Sequence, residues 1–374
     1  MKELASILSM CFLHPEKALA LATLVKASGS TYRRPGARML VLTTGESAGS
    51  ISGGCLECDV IEKAQAAAKE GKSILLTYDT SAEEDIVFGA GLGCKGAVHI
   101  LVEPLRPGSA ADESIRFLRG IFERRQSGVV VTVFQIQGEV PARIGDRLMM
   151  DMKGLVARRI ANEDVHAKLF AAAKESLSSN RSKTVEFELA SGRVEVLAEV
   201  IHAPTPLVIF GAGYDAVPLA RQAKEVGFHV TVADVRPAYS RKERFPEADA
   251  VAVVRPEEIA TLGMNRRTVA VIMSHNYLTD RAFLKATLPL NLRYLGLMGP
   301  RTRALKMLQE LREEGMETNE DLLRRIHNPV GLDIGAENPE QIALAILAEI
   351  QAVLAARPGG LLREKKGPIH APSH

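Results

Sequence analysis

Four cysteines are the only thiols in this chain of 374 residues, and Cys11, Cys55, Cys58 and Cys94 all fall in roughly its first quarter. That number is too small for a disulfide framework in so long a chain, so each is a structural thiol, a metal ligand or a reactive thiol. Two of them stand in glycine-rich loops. The first, Gly49-Ser-Ile-Ser-Gly53-Gly54-Cys55-Leu-Glu57, precedes an alanine-rich helical stretch. Its small residues make a turn able to wrap an anion, and the Gly54 and Cys55 amides open the helix. The helix dipole favours a thiolate at Cys55, and Glu57 is placed to act as an acid or base. The second loop, Gly89-Ala-Gly-Leu-Gly93-Cys94-Lys95-Gly96, sets a lysine beside its thiol, which favours a thiolate and attracts an anion. A third, Gly29-Ser-Thr-Tyr-Arg33-Arg34-Pro35-Gly36-Ala-Arg38, carries arginines at a Pro-Gly turn that could grip a phosphate bidentately. Plainer readings stand beside these: a buried small residue at a strand–helix turn, and a solvated turn with ion pairs.

Cys55-Leu-Glu-Cys58 also has the C-x-x-C spacing of thioredoxin-like sites. The preferred reading places Cys58 on the inner face of the helix. His14 and His99 are available to a metal, but no spacing matches a structural zinc pattern. Cys11 stands in an apolar helix and reads as core.

The second half of the chain contains a different signal. Leu-Val-Ile-Phe-Gly211-Ala-Gly213-Tyr-Asp-Ala216 is a strand, a G-x-G-x-x-A turn and a helix start. Gly211 permits the turn, Gly213 lets a pyrophosphate approach the backbone, and Ala216 keeps helix and sheet close. Asp234 ends the next strand, where a carboxylate accepts the ribose hydroxyls of NAD, and Arg236 leaves NADP open. In a nicotinamide-dependent oxidoreductase, His275 would be the acid or base.

The elements that must position these residues follow from periodicity. Strand-like runs cover 18–25, 38–43, 73–78, 97–102 and 129–135, with helical stretches at 60–69, 109–125 and 163–177. Residues 184–201 read as two strands turned at Ser191-Gly192, and no internal repeat is evident. His202-Ala203-Pro204-Thr205-Pro206 is the best linker. Beyond it, short apolar runs alternate with helices, which means a parallel sheet covered on both faces. Asn338-Pro339-Glu340 starts a final helix. The expected architecture is α/β: an N-terminal domain over 1–203 built on a mixed sheet, with its motifs in 1–105 and an extension over 106–203. A Rossmann-like doubly wound domain over 204–358 and a polar tail over 359–374 follow.

With 46% hydrophobic and 25% charged residues and a net charge of +2, the composition is ordinary globular and excludes disorder. It offers no reason to invoke nucleic acid or an anionic membrane. No apolar run is long enough to span a bilayer, and the N-terminus reads as an amphipathic helix, so a cytoplasmic protein is expected.

Taken together, the motifs resemble the XdhC/CoxI family of accessory proteins for molybdenum hydroxylases. The resemblance rests on G-S-x-x-R-R-P-G-A-x-M at 29–39, G-S-I-x-G-G-C-x-E at 49–57 and G-L-G-C at 91–94. It continues with G-A-G-x-D-A at 211–216, V-x-D-x-R-P at 232–237 and R-F-P-x-A-D at 244–249. A late block beginning at His327 and a P-E-x-I-A-L helix complete it. Lys95 stands where glycine is more usual, Cys58 lies outside the pattern, and Ser274 replaces a common threonine. The resemblance implies a chaperone that binds the molybdenum cofactor (molybdopterin) and supports exchange of its oxo ligand for sulfide with a cysteine desulfurase. It also implies delivery to the large subunit of a xanthine dehydrogenase-type hydroxylase, and a homodimer. On that reading Cys55 and Cys94 flank the molybdenum or relay sulfur, since thiolates suit a soft centre. Arg34, Arg38, Gly53, Gly54 and Gly93 hold the phosphate or pterin. His275, Asp280, His327 and Asp333 are expected to complete a site between domains.

Overall fold

In the computed structural model the described residues are 2–29, 31–79, 96–316 and 323–366. The chain divides into two units, Met1–Ala203 and Pro204–Ala371.

The first unit begins with helix α1 (Lys2–Leu13), strands β1 (Ala18–Gly29), β2 (Arg38–Leu42) and β3 (Ser47–Gly49), helix α2 (Glu57–Glu70), and strands β4 (Ile74–Asp79) and β5 (Gly96–Pro104). The same series then recurs. Helix α3 (Ala110–Glu123) is followed by β6 (Gly128–Gly138), β7 (Arg147–Asp151) and β8 (Gly154–Arg158), then α4 (Glu163–Ser179), β9 (Lys183–Leu189) and β10 (Gly192–Ile201). The two five-stranded sheets have matching orders, β3-β2-β1-β5-β4 and β8-β7-β6-β10-β9. The repeat extends to register: Thr23 faces Arg38 across β1 and β2, and Thr132 faces Arg147 across β6 and β7. A repeat is therefore present where the linear sequence suggested none, because it resides in backbone pairing and a few sparse positions. Both sheets are wholly antiparallel rather than mixed. Short connections dictate that arrangement for the β1–β2, β2–β3, β6–β7, β7–β8 and β9–β10 pairs.

Reciprocal buried ion pairs join the two halves. Arg38 Nη1 donates to Glu199 Oε1 at 2.7 Å, and its Nη2 pairs with Glu199 Oε2. Arg147 Nη1 donates to Glu103 Oε1 at 3.0 Å, and its Nη2 pairs with Glu103 Oε2. Each arginine begins the second strand of its own half, and each glutamate lies on the last strand of the other. The glycines two residues before the arginines make room. A Cβ on Gly36 would stand 2.7 Å from Glu199 Oε1, and one on Gly145 would stand 3.0 Å from Glu103 Oε1.

The second unit is a single parallel sheet: β11 (Pro206–Phe210), β12 (His229–Asp234), β13 (Ala250–Val253), β14 (Val269–Ile272), β15 (Tyr294–Leu297) and β16 (Ile326–His327). Its order is β13-β12-β11-β14-β15-β16, which counted within the unit is the Rossmann order 3-2-1-4-5-6. Helices α5 (Ala216–Glu225), α6 (Tyr277–Thr287), α7 (Arg301–Glu313) and α8 (Pro339–Leu354) accompany it. Asn338 caps α8, accepting from the Gln341 amide, and the Gln341 side chain answers the cap backbone. β14 is buried throughout and β11 from Leu207 onward, which explains their unbroken apolar character. Among the described residues no helix is long and apolar enough to cross a membrane.

Arg147→Ala is expected to destabilise the first unit by about 3–5 kcal/mol, because it strands the buried Glu103 carboxylate. Replacing Arg147 and Glu103 together by leucine is expected to cost less than that single change. Urea unfolding followed by circular dichroism checks both.

Candidate functional site

Cys55 ends the glycine loop between β3 and α2, and its side chain is exposed. What shapes this loop is Glu57, the first residue of α2, which folds back over it. Glu57 Oε1 accepts from the Ser50 hydroxyl (2.9 Å) and the amides of Ile51 (3.2 Å), Ser52 (2.9 Å) and Gly53 (3.2 Å). Its Oε2 accepts from the Gly54 amide (2.9 Å), the Leu56 amide (3.2 Å) and the Ser52 hydroxyl. Burial alone would raise this carboxyl, but the hydrogen bonds from Ser52, Gly53 and Ser50 outweigh it and hold it well below the usual carboxylate range. This corrects two expectations. Glu57 is a fixed anion and holds no proton to exchange near neutrality. The Gly53 and Gly54 amides serve that carboxylate.

The arginine loop lies alongside. The Tyr32 ring, 69% exposed, covers Gly53, where a Cβ would stand 2.8 Å from the ring edge. Arg33 is held by Glu3 of α1, and Arg34 is exposed. Arg38 is buried against Glu199, so it secures the two halves of the unit and is not available to grip a phosphate. A cleft of about 320 Å³ adjoins this loop, lined by Glu3, Arg33, Arg34, Glu199 and His202 among others. Cys11 is core, as its apolar helix suggested, and burial followed by the nearby Asp112 pushes its thiol up to about 11. Cys58 departs from expectation: it is exposed, because Val60, Ala64 and Ala67 supply the buried face of α2. Gly93, Cys94 and Lys95 lie outside the described residues.

In the second unit, the loops after β11 and β14 flank the switch point of the sheet, where α/β folds bind ligands. Gly211 has φ of +115°, and a Cβ there would fall 2.7 Å from the Met273 carbonyl, so no other residue fits. Gly213 has no such crowding; its nearest neighbour is the His275 ring at 3.8 Å from a Cβ. Ala216 is fully buried at the start of α5. His275 Nε2 lies 2.8 Å from Asp215 Oδ2, which brings one side chain from each loop together. The Asp280 carboxylate is buried; it accepts from the Ser274 amide and hydroxyl and from Arg303, so it fixes the loop that presents His275.

Asp234 is not open to a ribose. It is 1% exposed, and its oxygens accept from the Ala212 amide (2.7 Å) and from the Arg236 amide and guanidinium. Burial alone would raise its pKa, but Arg236 and the Ala212 amide lower it. Arg244 donates to the Ala212 carbonyl at 2.7 Å, so both polar groups of the central turn residue are held by protein. Arg236 stacks on Tyr239, and Tyr214 at the turn is 83% exposed. His327 is likewise engaged: Nδ1 meets Glu349 Oε1 at 3.0 Å, and its ring stacks on buried Tyr294, 4.3 Å between centroids. Glu349 also accepts from the Tyr294 hydroxyl and the Gly331 amide, so this cluster anchors the loop after β16. Asp333 is exposed on that loop. Tyr32, Ser50 and Ser52 were missed by sequence reasoning, although the serines could have been found as small hydroxyl residues preceding a helix-opening glutamate.

An antiparallel unit presenting exposed thiols at a carboxylate-filled glycine loop, joined to a unit of Rossmann topology, defines a two-part α/β chain. Comparison narrows that class. Residues 207–350 match the XdhC Rossmann domain, and residues 13–79 and 121–188 match the XdhC and CoxI family. The chain is 30% identical over 340 residues to a probable xanthine dehydrogenase subunit from Bacillus subtilis, covering 90% of this chain and 94% of that protein. It is 24% identical to the molybdenum cofactor insertion chaperone PaoD of Escherichia coli, covering 90% and 84%. A crystal structure of a xanthine dehydrogenase from Bacillus halodurans superposes with a TM-score of 0.76 at 27% identity, covering 96% of this chain and 97% of that one. The chain belongs to the XdhC and CoxI family.

Iodoacetamide near neutral pH is expected to label Cys55 and Cys58 in the folded chain and Cys11 only after denaturation; peptide mass mapping reads the order. The depressed Glu57 carboxyl gives a second expectation. Its hold on the loop is complete above the unfolded carboxylate pKa of about 4.3 and fades only as pH falls further toward its folded value. Amide exchange at Gly53 and Gly54 should therefore stay protected down to about pH 4 and be faster in Glu57→Gln at every pH.

Proposed function

We propose that this chain binds the molybdenum cofactor as cargo, assists its sulfuration with a cysteine desulfurase, and passes it to a molybdenum hydroxylase of the xanthine dehydrogenase type. The observation that carries this reading is the exposed Cys55 at the end of a rigid glycine loop, in a chain whose relatives bear xanthine dehydrogenase and cofactor-insertion names. A dithiolene-bound molybdenum is a soft centre, and a thiol is the matching donor. Arg34, exposed on the rim of the cleft, supplies a guanidinium for the phosphate of the pterin. The Gly53 and Gly54 amides, filled by Glu57, take no part in this binding.

A second reading, an NAD(P)-dependent oxidoreductase, is favoured by one observation: the His275–Asp215 pair above uncrowded Gly213 at the switch point. Against it stands Asp234, whose carboxylate is bonded to protein instead of being open to a ribose. Purification from a cofactor-producing host followed by molybdenum and pterin assay separates the two. Near-stoichiometric molybdenum and pterin, lost in Cys55→Ala together with activation of a client hydroxylase, is the expected result. Stoichiometric NAD with hydride-transfer activity and no molybdenum overturns the proposal.

A further inference from the structure

Cys58 has no part in the reading above, yet its side chain, like that of Cys55, is exposed. The two thiols stand three residues apart across the start of α2, Cys55 in the last stretch of loop and Cys58 within the first turn. Cys55 precedes Leu56, the N-cap of α2, so the spacing fixed between two residues within a helix does not hold this pair apart. A disulfide needs Cβ atoms about 3.5–4.5 Å apart. Gly53 and Gly54 precede Cys55 with φ of +110° and +116°, and nothing lies within 4 Å of a Cβ placed on Gly54. The residues on either side of Cys58 are tied down: Glu57 into its loop, and Asp59 to the Tyr78 hydroxyl at 2.5 Å. The backbone on both sides is thus held, the Cys55 amide by the Ser52 hydroxyl oxygen at 3.1 Å, and it is the two exposed side chains that close the gap.

We propose that Cys55 and Cys58 form a sulfide-releasing dithiol, with a protein or small-molecule persulfide as its substrate. The inference rests on the sulfur-handling role given above to Cys55. Exchange of an oxo for a sulfido ligand consumes sulfur at the sulfide level, whereas a persulfide carries its outer sulfur two electrons more oxidised. In the first step the Cys55 thiolate attacks the outer sulfur of the donor, and the donor thiolate leaves. In the second, Cys58 attacks Cys55 Sγ. The bond from Cys55 to the outer sulfur breaks, a Cys55–Cys58 disulfide forms, and the outer sulfur departs with the electron pair and the Cys58 proton as hydrosulfide. Two thiols are oxidised and one sulfane sulfur is reduced. Two small thiols of the glutathione class restore the dithiol by successive exchange, the first forming a mixed disulfide and the second leaving with it as their own disulfide.

The test uses the full chain and glutathione persulfide under anaerobic conditions, without molybdenum cofactor. Released sulfide is assayed, and alkylated peptides are mapped by mass. The wild type is expected to release about one sulfide per chain and to gain a Cys55–Cys58 disulfide. Cys58→Ser is expected to keep one extra sulfur on Cys55 and to release sulfide at least about tenfold more slowly. Cys55→Ser should gain no sulfur at residue 58 and release none. Unchanged circular dichroism in both variants excludes misfolding. Wild-type release by Cys58→Ser, or loss of release in Cys94→Ser instead, overturns the proposal. A chain that forms the disulfide yet carries no molybdenum overturns the cargo reading alone. One that carries molybdenum and releases sulfide without Cys58 overturns only the dithiol.

Discussion

The first unit depends on two arginine–glutamate pairs that cross between its halves. Arg38 reaches Glu199 and Arg147 reaches Glu103, each charge almost wholly buried. Taking four charges out of water is tolerable only because each pair is bidentate and backed by further polar contacts. Arg38 also donates to the Gly36 carbonyl, and Arg147 to the Thr132 hydroxyl. The arrangement has the self-complementary logic of a two-fold dimer, in which the same patch is used twice, carried out here within one chain. It places β2, and hence the loops that follow it, against a second sheet. The thiol loop inherits its foundation from that interface.

A second regularity spans both units. Among the described residues, two glycine turns that resemble a phosphate cradle are completed by a carboxylate of the chain itself: Glu57 over Ser52 to Gly54, and Asp234 on Ala212. Turns with several inward amides need an anion or water to satisfy them, and an aspartate or glutamate nearby is the simplest supply. Roles for such carboxylates as proton carriers or ribose acceptors do not survive that engagement.

The Rossmann unit was legible because its signals are local. Buried parallel strands read as unbroken apolar runs, Gly211 answers a turn that admits no side chain, and Asn338 caps α8 within four residues. What was hidden depends on distance. Arg38 has the chemistry of a phosphate ligand, and only a partner 161 residues away shows that it is spent elsewhere. The duplication left small traces, Gly36-x-Arg38 and Gly145-x-Arg147, too sparse to notice without knowing that the intervening strands pair alike. Cys58 was misplaced although the signal existed: Val60, Ala64 and Ala67 form the buried stripe, and a residue two before Val60 points away from it. The exposure of Cys55 was readable from its glycines, whereas the carboxylate closing the loop was not.

Glu57 also bears on what the thiol loop encounters in solution. An open ring of amides collects whatever phosphate or sulfate surrounds it, and its shape then varies with the medium. A carboxylate tethered on the next turn competes at an effective concentration of millimolar or more, since binding needs no second molecule. Ambient anions are thereby screened out before they reach the amides. The surface around Cys55 keeps one form across changes in ionic composition.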